Sequence, residues 1–204
     1  MKKIKLFAIL ATVALALVSC SSKPEKTIEN LKNAATGEAN ASEKYAKFAQ
    51  KAQADSMFNI AAMFKATSEA EAVHKANHLK VLKELGVDFS PIIEGVNVIT
   101  TLENLQAAMK GEDYEVSNMY PEFIKIAEQE KAKKALNSFD FAIKVEAKHS
   151  QFYNEAISLI SSEGNDLNVN KAWEVCPVCG DTYKKGSVEK CNICGTDASK
   201  FKTF

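Results

Sequence analysis

One short motif occurs twice in this sequence, and its separation constrains the fold of most of the chain. A Glu-x-x-His sequence runs from Glu71 to His74 and recurs 75 residues later, from Glu146 to His149. Residues three apart on an α-helix share one face, so each pair can reach a common metal ion. Alanine, valine and isoleucine flank both motifs, which favours an orientation toward the core.

A second repeat precedes each of these motifs. Glu38 and Glu112 each follow a glycine, they are 74 residues apart, and a tyrosine stands about two turns beyond each, at Tyr45 and Tyr120. The chain is therefore predicted to contain one helical hairpin twice, related by a pseudo-twofold axis. One Glu from each of two helices and Glu-x-x-His from the other two is the ligand set of di-iron carboxylate bundles. A lone Glu-x-x-His would suit a solvated helix face, whereas the whole set predicts a two-metal site.

The repeat is broken at one position that bears on the chemistry. Glu112 is followed three residues later by Glu115, whereas the residue three beyond Glu38 is Ala41. Glu115 is thus a seventh candidate ligand without a symmetry mate, and it predicts that one metal has two alternative partners. His78, one turn beyond the first motif, is interpreted as a flanking or surface histidine.

The long segment that carries the repeats is predicted to be helical. It is rich in Ala, Lys, Glu and Leu, with breaks near Asp55, at Gly86 and around Lys131. The predicted helices are residues 25–53, 55–85, 101–130 and 132–162. Residues 86–100 are too many for a tight turn and predict a long crossover, and Pro121 predicts a kink in the third helix. Four helices with one long crossover form a ferritin-like bundle.

Four cysteines near the C-terminus form two matched Cys-x-x-Cys pairs, each followed by a glycine that permits a tight turn. They are Cys176, Cys179, Cys191 and Cys194. Two such pairs supply four thiolates to one tetrahedral ion, whereas a Cys-x-x-Cys disulfide closes a small, strained ring. A metal is therefore favoured over two disulfides. Thiolate ligation by itself fits both zinc and iron.

Charge and composition exclude some partners. The formal net charge is zero, so nothing favours nucleic acid as a partner. All 26 basic residues are lysine, which excludes a twin-arginine export signal. An exported chain of this composition is expected to cross the membrane unfolded and to acquire its metals afterwards.

The N-terminus has the features of a bacterial lipoprotein signal. Three lysines within the first five residues precede an apolar stretch, residues 6–18, which ends in Ser19 and Cys20. The alternative is an ordinary secretory signal with an incidental cysteine. The predicted division is a signal segment at residues 1–19, a tether and helical domain at 20–165, and a cysteine domain at 169–204. Cys20 is the predicted lipidation site, which places the mature protein in the cell envelope.

The motifs together resemble the rubrerythrin family over essentially the whole chain from about residue 25. The residues that carry the resemblance are Gly37-Glu38, Glu71-x-x-His74, Gly111-Glu112-x-x-Glu115, Met119-Tyr120-Pro121, Glu146-x-x-His149 and the two terminal Cys-x-x-Cys-Gly sequences. The resemblance implies a ferritin-like di-iron domain joined to a rubredoxin-like one-iron domain, with three iron ions per chain. It implies a peroxidase that reduces hydrogen peroxide to water in oxidative stress defence.

The resemblance also implies roles for the individual residues. Glu71 and Glu146 resemble the carboxylates that bridge the two irons. Glu38 and Glu115 would bind one iron, and Glu112 with His149 the other, while His74 is similar to the ligand that replaces Glu115 on reduction. Tyr45 and Tyr120 resemble tyrosines that hydrogen-bond the ligand carboxylates; their alternative role is that of core aromatics.

Partners and rival functions follow from the same resemblance. In the family, the cysteine domain of one subunit lies near the di-iron site of its partner, which implies a head-to-tail homodimer. The lipid anchor implies an electron donor, so far unidentified, in the membrane or envelope. The bundle also suits a ferroxidase that handles iron, and a non-enzymatic envelope protein with a zinc ribbon is the third alternative.

Overall fold

The computed structural model describes residues 23–204, and the predicted signal segment with Cys20 lies outside the described residues. Five α-helices form a ferritin-like bundle: α1 (Glu25–Ala54), α2 (Phe58–Glu84), α3 (Thr101–Tyr114), α4 (Tyr120–Gln129) and α5 (Lys133–Glu163). The prediction of four helices and one crossover is confirmed, with α3 and α4 together forming the predicted third helix. Among the described residues, no helix is long and apolar enough to cross a membrane.

The helices pack as two hairpins around two aromatic clusters. Helix α1 lies along α2, while α3 and α4 lie along α5. One cluster is built on Tyr45, Phe48, Phe64 and Tyr153, and the other on Tyr120, Phe123 and Phe139. A tyrosine from each cluster donates a hydrogen bond to a buried glutamate of the repeats. The polar ligands therefore lie between two apolar layers that shield them from solvent.

The crossover between α2 and α3 is fastened to the first helix by one side chain. The Asn40 side chain donates to the carbonyl of Ile92 at 3.1 Å and accepts from the backbone N–H of Glu94 at 2.7 Å. The crossover ends at Thr100, which forms a capping box with Glu103 and so begins α3. These contacts hold the long connection against the bundle.

A π-helical turn, Glu115–Met119, separates α3 from α4. The backbone N–H of Tyr120 donates to the carbonyl of Glu115, five residues earlier. The predicted irregularity at Pro121 thus takes the form of a wider turn ahead of the proline, because proline perturbs the turn on its N-terminal side. The sequence signal for this turn is a one-residue difference in spacing between the two repeats. Tyr45 follows Glu38 by seven residues, whereas Tyr120 follows Glu112 by eight.

The C-terminal part is a three-stranded antiparallel sheet that carries the cysteines. Strands β1 (Trp173–Val175), β2 (Thr182–Lys184) and β3 (Lys202–Thr203) lie in the order β2-β1-β3. The buried Trp173 ring packs against Phe152 of α5, with ring centroids 4.7 Å apart. The sheet is therefore docked on the bundle of its own chain.

Candidate metal centres

Seven predicted ligand residues face one region inside the bundle. Helix α1 provides Glu38, α2 provides Glu71 and His74, α3 provides Glu112, the π turn provides Glu115, and α5 provides Glu146 and His149. Six of the seven have fractional exposures of 2% or less. Their ligand atoms form two groups, each within 4.8 Å: Glu38, Glu71, His74 and Glu146 in one, Glu71, Glu112, Glu146 and His149 in the other.

Glu71 and Glu146 belong to both groups, and each uses one oxygen for each histidine. Oε2 of Glu71 lies 3.0 Å from Nδ1 of His74, and Oε1 lies 3.2 Å from Nδ1 of His149. Oε1 of Glu146 lies 2.7 Å from Nδ1 of His74, and Oε2 of Glu146 lies 2.9 Å from Nδ1 of His149. This arrangement lets both carboxylates bridge two ions, in the way the family resemblance implies.

The polar atoms left without partners fit a pair of cations. Within the described chain, Oε2 of Glu38 and Oε2 of Glu115 are buried and have no partner. Oε1 of Glu71, both oxygens of Glu146 and Nδ1 of His149 make the glutamate–histidine contacts given above but no well-aligned hydrogen bond. A buried unpaired carboxylate is costly unless it binds a metal or a proton. Two divalent ions at these positions would satisfy the orphaned atoms together.

The pKa values of the buried ligand residues indicate the same need for positive charge. Burial and mutual repulsion raise the pKa of Glu38, Glu112 and Glu115 well above the ordinary value. Burial by itself lowers a histidine pKa, but here the facing carboxylates outweigh it and raise the pKa of His74 and of His149 to about 10. Protons therefore hold the places that metal ions would take.

Both predicted tyrosines are buried and also bind the carboxylates. Tyr45 donates to Oε1 of Glu112 at 2.5 Å, and Tyr120 donates to Oε1 of Glu38. Each tyrosine thus crosses from one hairpin to a glutamate of the other. The two alternatives weighed from sequence, core aromatic and ligand-orienting tyrosine, are both realised in the same side chains.

Glu115 faces the site but stands outside both ligand groups. Its Oε2 is buried and unpartnered, and its charge raises the pKa of Glu38. The position beside Glu38 that the resemblance assigns to alternating partners is held here by His74. Glu115 therefore lies at the site without joining either group of ligand atoms.

The outward nitrogens of the two histidines contact the cysteine domain. Nε2 of His74 lies 3.1 Å from the carbonyl oxygen of Cys179, and Nε2 of His149 lies 3.0 Å from Oγ1 of Thr182. The Thr182 hydroxyl donates to a carbonyl, so it accepts from the histidine. Both Nε2 atoms therefore carry the hydrogen, which leaves the Nδ1 lone pairs for metal ions.

Polar contacts surround this junction. Lys148 Nζ lies 2.5 Å from the buried carboxylate of Asp181, and the Asn77 side chain donates to the carbonyl of Val178 at 2.9 Å. Gly180 has φ +80°, and a Cβ at this position would overlap the imidazole of His74. The sequence assigned Gly180 to the tight turn, or knuckle, after the first Cys-x-x-Cys pair. The structure shows that this glycine also allows the two domains to approach closely.

The four cysteines form the second candidate centre. All four are free thiols, and their sulfur atoms lie within 4.8 Å of one another. The closest pairs join the two knuckles, at 3.5 Å for Cys176 and Cys194 and 3.4 Å for Cys179 and Cys191. These distances exclude a disulfide and approach the edge of about 3.8 Å expected for a tetrahedral thiolate site.

His78 is placed differently from its sequence interpretation. Instead of lying on the surface it is fully buried, with Nδ1 2.7 Å from Oγ of Ser138 and Nε2 3.1 Å from the hydroxyl of Tyr120. The surface interpretation was wrong because the repeat offered no second histidine. The residue 75 positions later is Tyr153, which is likewise buried, and this substitution in the repeat was the available sequence signal.

The fold and the two centres define a ferritin-like carboxylate protein with a rubredoxin-like domain. The family model described as Rubrerythrin matches residues 29–157. Rubrerythrin-2 of Clostridium acetobutylicum is 35% identical over 90% of this chain and 100% of its own length. Nigerythrin of Nitratidesulfovibrio vulgaris is 33% identical over 87% of this chain and 86% of its own length. A solved structure of nigerythrin in a mixed-valence state superposes with a TM-score of 0.79, at 31% identity over 98% of this chain and 100% of that one.

The chain belongs to the rubrerythrin family. Its four-cysteine cluster and its carboxylate and histidine site fit the iron-binding character of that family.

Proposed function

We propose that this protein is a peroxidase that reduces hydrogen peroxide to two molecules of water in oxidative stress defence. The observation that carries the proposal is the contact between the carbonyl of Cys179 and the Nε2–H of His74. It joins a residue of the four-cysteine site to a ligand residue of the carboxylate site by one hydrogen bond. When bound, a pair of ferrous ions supplies two electrons to peroxide, and an iron held by the four cysteines returns them; this makes three iron ions per chain.

The side chains prepare the carboxylate site in three ways. Glu71 and Glu146 offer one oxygen to each metal position, so the two positions are held at a fixed separation. Tyr45 and Tyr120 fix the orientation of the terminal carboxylates by donating to them. The aromatic clusters on both sides exclude bulk water, which strengthens each electrostatic contact inside the site.

The domain junction favours a peroxidase over the two rival functions. A ferroxidase delivers iron to storage and has no need of a redox centre against its histidine ligands. A zinc ribbon cannot pass electrons, and such a protein would have no use for glutamates buried as deeply as Glu38 and Glu146. Transfer of electrons between the two domains would explain why they approach each other so closely at Gly180.

The test combines spectroscopy with stopped-flow kinetics on the full-length protein. We expect red protein with about three iron ions per chain, bleached by dithionite, and rapid recovery of the colour when peroxide is added. The control is Cys176→Ser, which should keep the carboxylate iron and lose the colour and the multiple turnovers. Colourless protein with one zinc per chain would contradict the proposal. Faster reaction of the reduced protein with dioxygen than with peroxide would favour the ferroxidase.

We further propose that Cys20 carries a lipid and that the protein acts at the cell envelope. The support is the sequence around Cys20 and the polar segment that follows it. A soluble nicotinamide-linked reductase in the cytoplasm could not then be the direct donor, so the donor is an envelope electron carrier. Cys20→Ser should release the protein from membranes and leave the purified activity unchanged. Native protein found in the cytosol with Met1 intact would contradict this proposal.

The homodimer is also part of the proposal. Within one chain the cysteine domain contacts its own bundle, and residues 164–172 form the single covalent link between the two parts. We propose a head-to-tail dimer that exchanges the cysteine domains, as the family resemblance implies. The support is that the cysteine domain contacts α2 and α5 through polar groups and is joined to its own bundle by one linker.

A further inference from the structure

A continuous chain of hydrogen bonds connects the carboxylate site to a residue near the surface. Tyr120 donates to Oε1 of Glu38. Nε2 of His78 lies 3.1 Å from the hydroxyl of Tyr120, and Nδ1 of His78 lies 2.7 Å from Oγ of Ser138. All four side chains have fractional exposures of 6% or less. The residues come from α1, α2, α4 and α5, so no local sequence pattern brings them together.

The hydrogen bonds all point in one direction. Oε1 of Glu38 accepts the Tyr120 hydroxyl hydrogen, and a proton bound to Glu38 in the metal-free protein would occupy the unpartnered Oε2. The tyrosine oxygen then accepts from His78, which places the hydrogen on Nε2 and leaves Nδ1 as an acceptor. Nδ1 in turn accepts from the hydroxyl of Ser138. Every donor therefore faces the site, as an inward proton relay requires.

The outer end of the chain opens to solvent. Ser138 lines a surface depression of about 270 Å³ between α2 and α5. Charged residues surround the depression, among them Lys80, Glu84 and Lys134, and the last two form an exposed ion pair at 2.7 Å. Ser138 is 6% exposed and is the member of the chain that lines this depression, so we take it as the entry point.

The pseudosymmetric half of the bundle lacks such a route. Tyr153 occupies the position related to His78 by the 75-residue repeat. Its hydroxyl donates to Thr67 at 2.7 Å, and the Thr67 hydroxyl donates to the backbone carbonyl of Phe64. That chain ends at a carbonyl and does not reach a ligand. The relay thus serves the side of the site that holds Glu38, His74 and Glu115.

We propose that Ser138, His78 and Tyr120 deliver protons from solvent to the site through Glu38, a role that rests on the proposed peroxidase function. Reduction of one hydrogen peroxide to two waters consumes two protons and two electrons, and the relay brings the protons one at a time. In each passage the Ser138 proton moves to Nδ1 of His78, the Nε2 proton moves to Tyr120, and the Tyr120 proton moves to Glu38. The product oxygen takes the proton from Glu38, and a proton from water restores the Ser138 hydroxyl. One passage leaves the hydrogen of His78 on Nδ1. The second passage therefore requires the Tyr120 hydroxyl to rotate back toward Glu38 and His78 to regain its Nε2–H tautomer by exchange with solvent.

The relay requires no side chain in its middle to change its net charge, because each gives one proton as it receives another. The imidazole of His78 lies between the hydroxyls of Tyr120 and Ser138, so one of its nitrogens donates and the other accepts. A neutral imidazole with one donor and one acceptor nitrogen is the form that can pass a proton on. Tyr120 and His78 act here as relay groups in addition to fixing Glu38.

The first experiment interrupts the relay at two points and leaves the symmetric chain as control. Ser138→Ala and His78→Phe remove the proton carriers; phenylalanine fits because His78 already packs against the Phe139 ring at 5.4 Å. Oxidation of the pre-reduced protein by peroxide should slow by about tenfold or more in both, with iron content unchanged. The control, Tyr153→Phe, removes a buried hydroxyl from the hydrogen-bond chain that ends at the carbonyl of Phe64, and it should leave the rate unchanged. Equal rates in all four proteins would overturn the relay.

Chemical rescue separates proton transfer from packing. His78→Ala leaves a space that imidazole or N-methylimidazole can fill. The two compounds differ by one methyl group, but only imidazole can accept a proton on one nitrogen and donate one from the other. We expect imidazole to restore the rate and N-methylimidazole to leave it low. Equal rescue by both compounds would show a structural role.

A readout on the metal-free protein tests the direction of the chain without turnover. In ¹⁵N-histidine NMR, the resonances lost in His78→Phe should show a hydrogen on Nε2, and Ser138→Ala should shift the Nδ1 resonance. A hydrogen on Nδ1 would reverse the chain and overturn the proposal even if the other variants fail to fold. Wild-type protein without peroxidase activity would instead overturn the proposed function, whatever the NMR result.

Discussion

At the residue scale, Gly180 links the chemistry of one domain to the packing of the other. Its positive φ closes the turn after the first cysteine pair, and its missing side chain admits the His74 imidazole. Gly195 closes the second turn with φ +75° and has no atom within 4 Å of the place of its Cβ. The two glycines therefore share one backbone requirement and differ in their surroundings.

This pair gives a matched test of the domain junction. Gly180→Ala and Gly195→Ala should each lose about 1 kcal/mol of stability through backbone strain. Only Gly180→Ala should also push the cysteine domain away from His74, which slows electron transfer between the centres by on the order of tenfold. Stopped-flow return of electrons from the four-cysteine iron after peroxide addition measures the difference. Equal transfer rates in the two variants would show that the contact at His74 does not carry electrons.

The buried ligands also predict how the metal-free protein responds to pH. The raised pKa values of Glu38, Glu112, Glu115, His74 and His149 mean that the folded state binds more protons than the unfolded state. The lowered pKa values of His78 and Glu71 act in the opposite direction below their ordinary values. Because more groups have raised values, the stability of the metal-free protein is expected to fall as pH rises from about 5 toward about 10. Thermal unfolding between pH 5 and 9 should show a falling midpoint for the chelated protein. Iron replaces the protons, so the loaded protein should vary less; a rising midpoint without metal would contradict this account.

At the element scale, the π turn Glu115–Met119 accommodates one inserted residue within a continuous helical segment. Helix α4 remains in register with its repeat mate because the wide turn absorbs the extra position. The turn begins at Glu115, the carboxylate that has no counterpart in the other half. The irregularity and the seventh ligand therefore belong to the same feature, as is common for π turns at functional sites.

Deleting Asn118, which is exposed, should convert this segment to regular α-helix. The spacing from Glu112 to Tyr120 would become seven residues, as in the other half, so Tyr120 should still reach Glu38. We expect the metal-free protein to gain about 1 kcal/mol of stability from the relieved turn, and the loaded protein to lose turnover because Glu115 is no longer held toward the site. Chemical denaturation and peroxide kinetics measure the two effects. Unchanged turnover would show that the π turn does not position Glu115.

At the scale of the whole molecule, the position of the cysteine domain decides how electrons reach the bundle. The domain seats its knuckle on α2 and α5, with Asn77, Lys148 and both ligand histidines making polar contacts to it. These contacts fix the two centres next to each other.

Mixing two inactive variants tests the proposed exchange. Cys176→Ser disables the cysteine centre and Glu71→Ala the carboxylate centre. If the domains are exchanged, the mixed dimer contains one complete pair of centres, and a refolded equal mixture should regain about a quarter of wild-type activity. Sizing chromatography should show a dimer in each sample. A dimer whose mixture stays inactive would show that each chain uses its own cysteine domain.

The sequence by itself determined the features that depend on periodicity and residue type. Ligand pairs such as Glu71 and His74 could be predicted because a spacing of three fixes a shared helix face whatever the helix packs against. The four thiolates could be predicted because each Cys-x-x-Cys turn is a local structure. The ferritin-like bundle followed from helix lengths and one long connection.

Only the tertiary structure decided which distant side chains meet. His78 and Ser138 are 60 residues apart, and their contact depends on how α2 docks on α5. The protonated nitrogen of His74 was decided by the carbonyl of Cys179, 105 residues away. Such contacts are set by the packing of whole elements, whose angles and offsets result from many small interactions, and no local spacing in the chain records them.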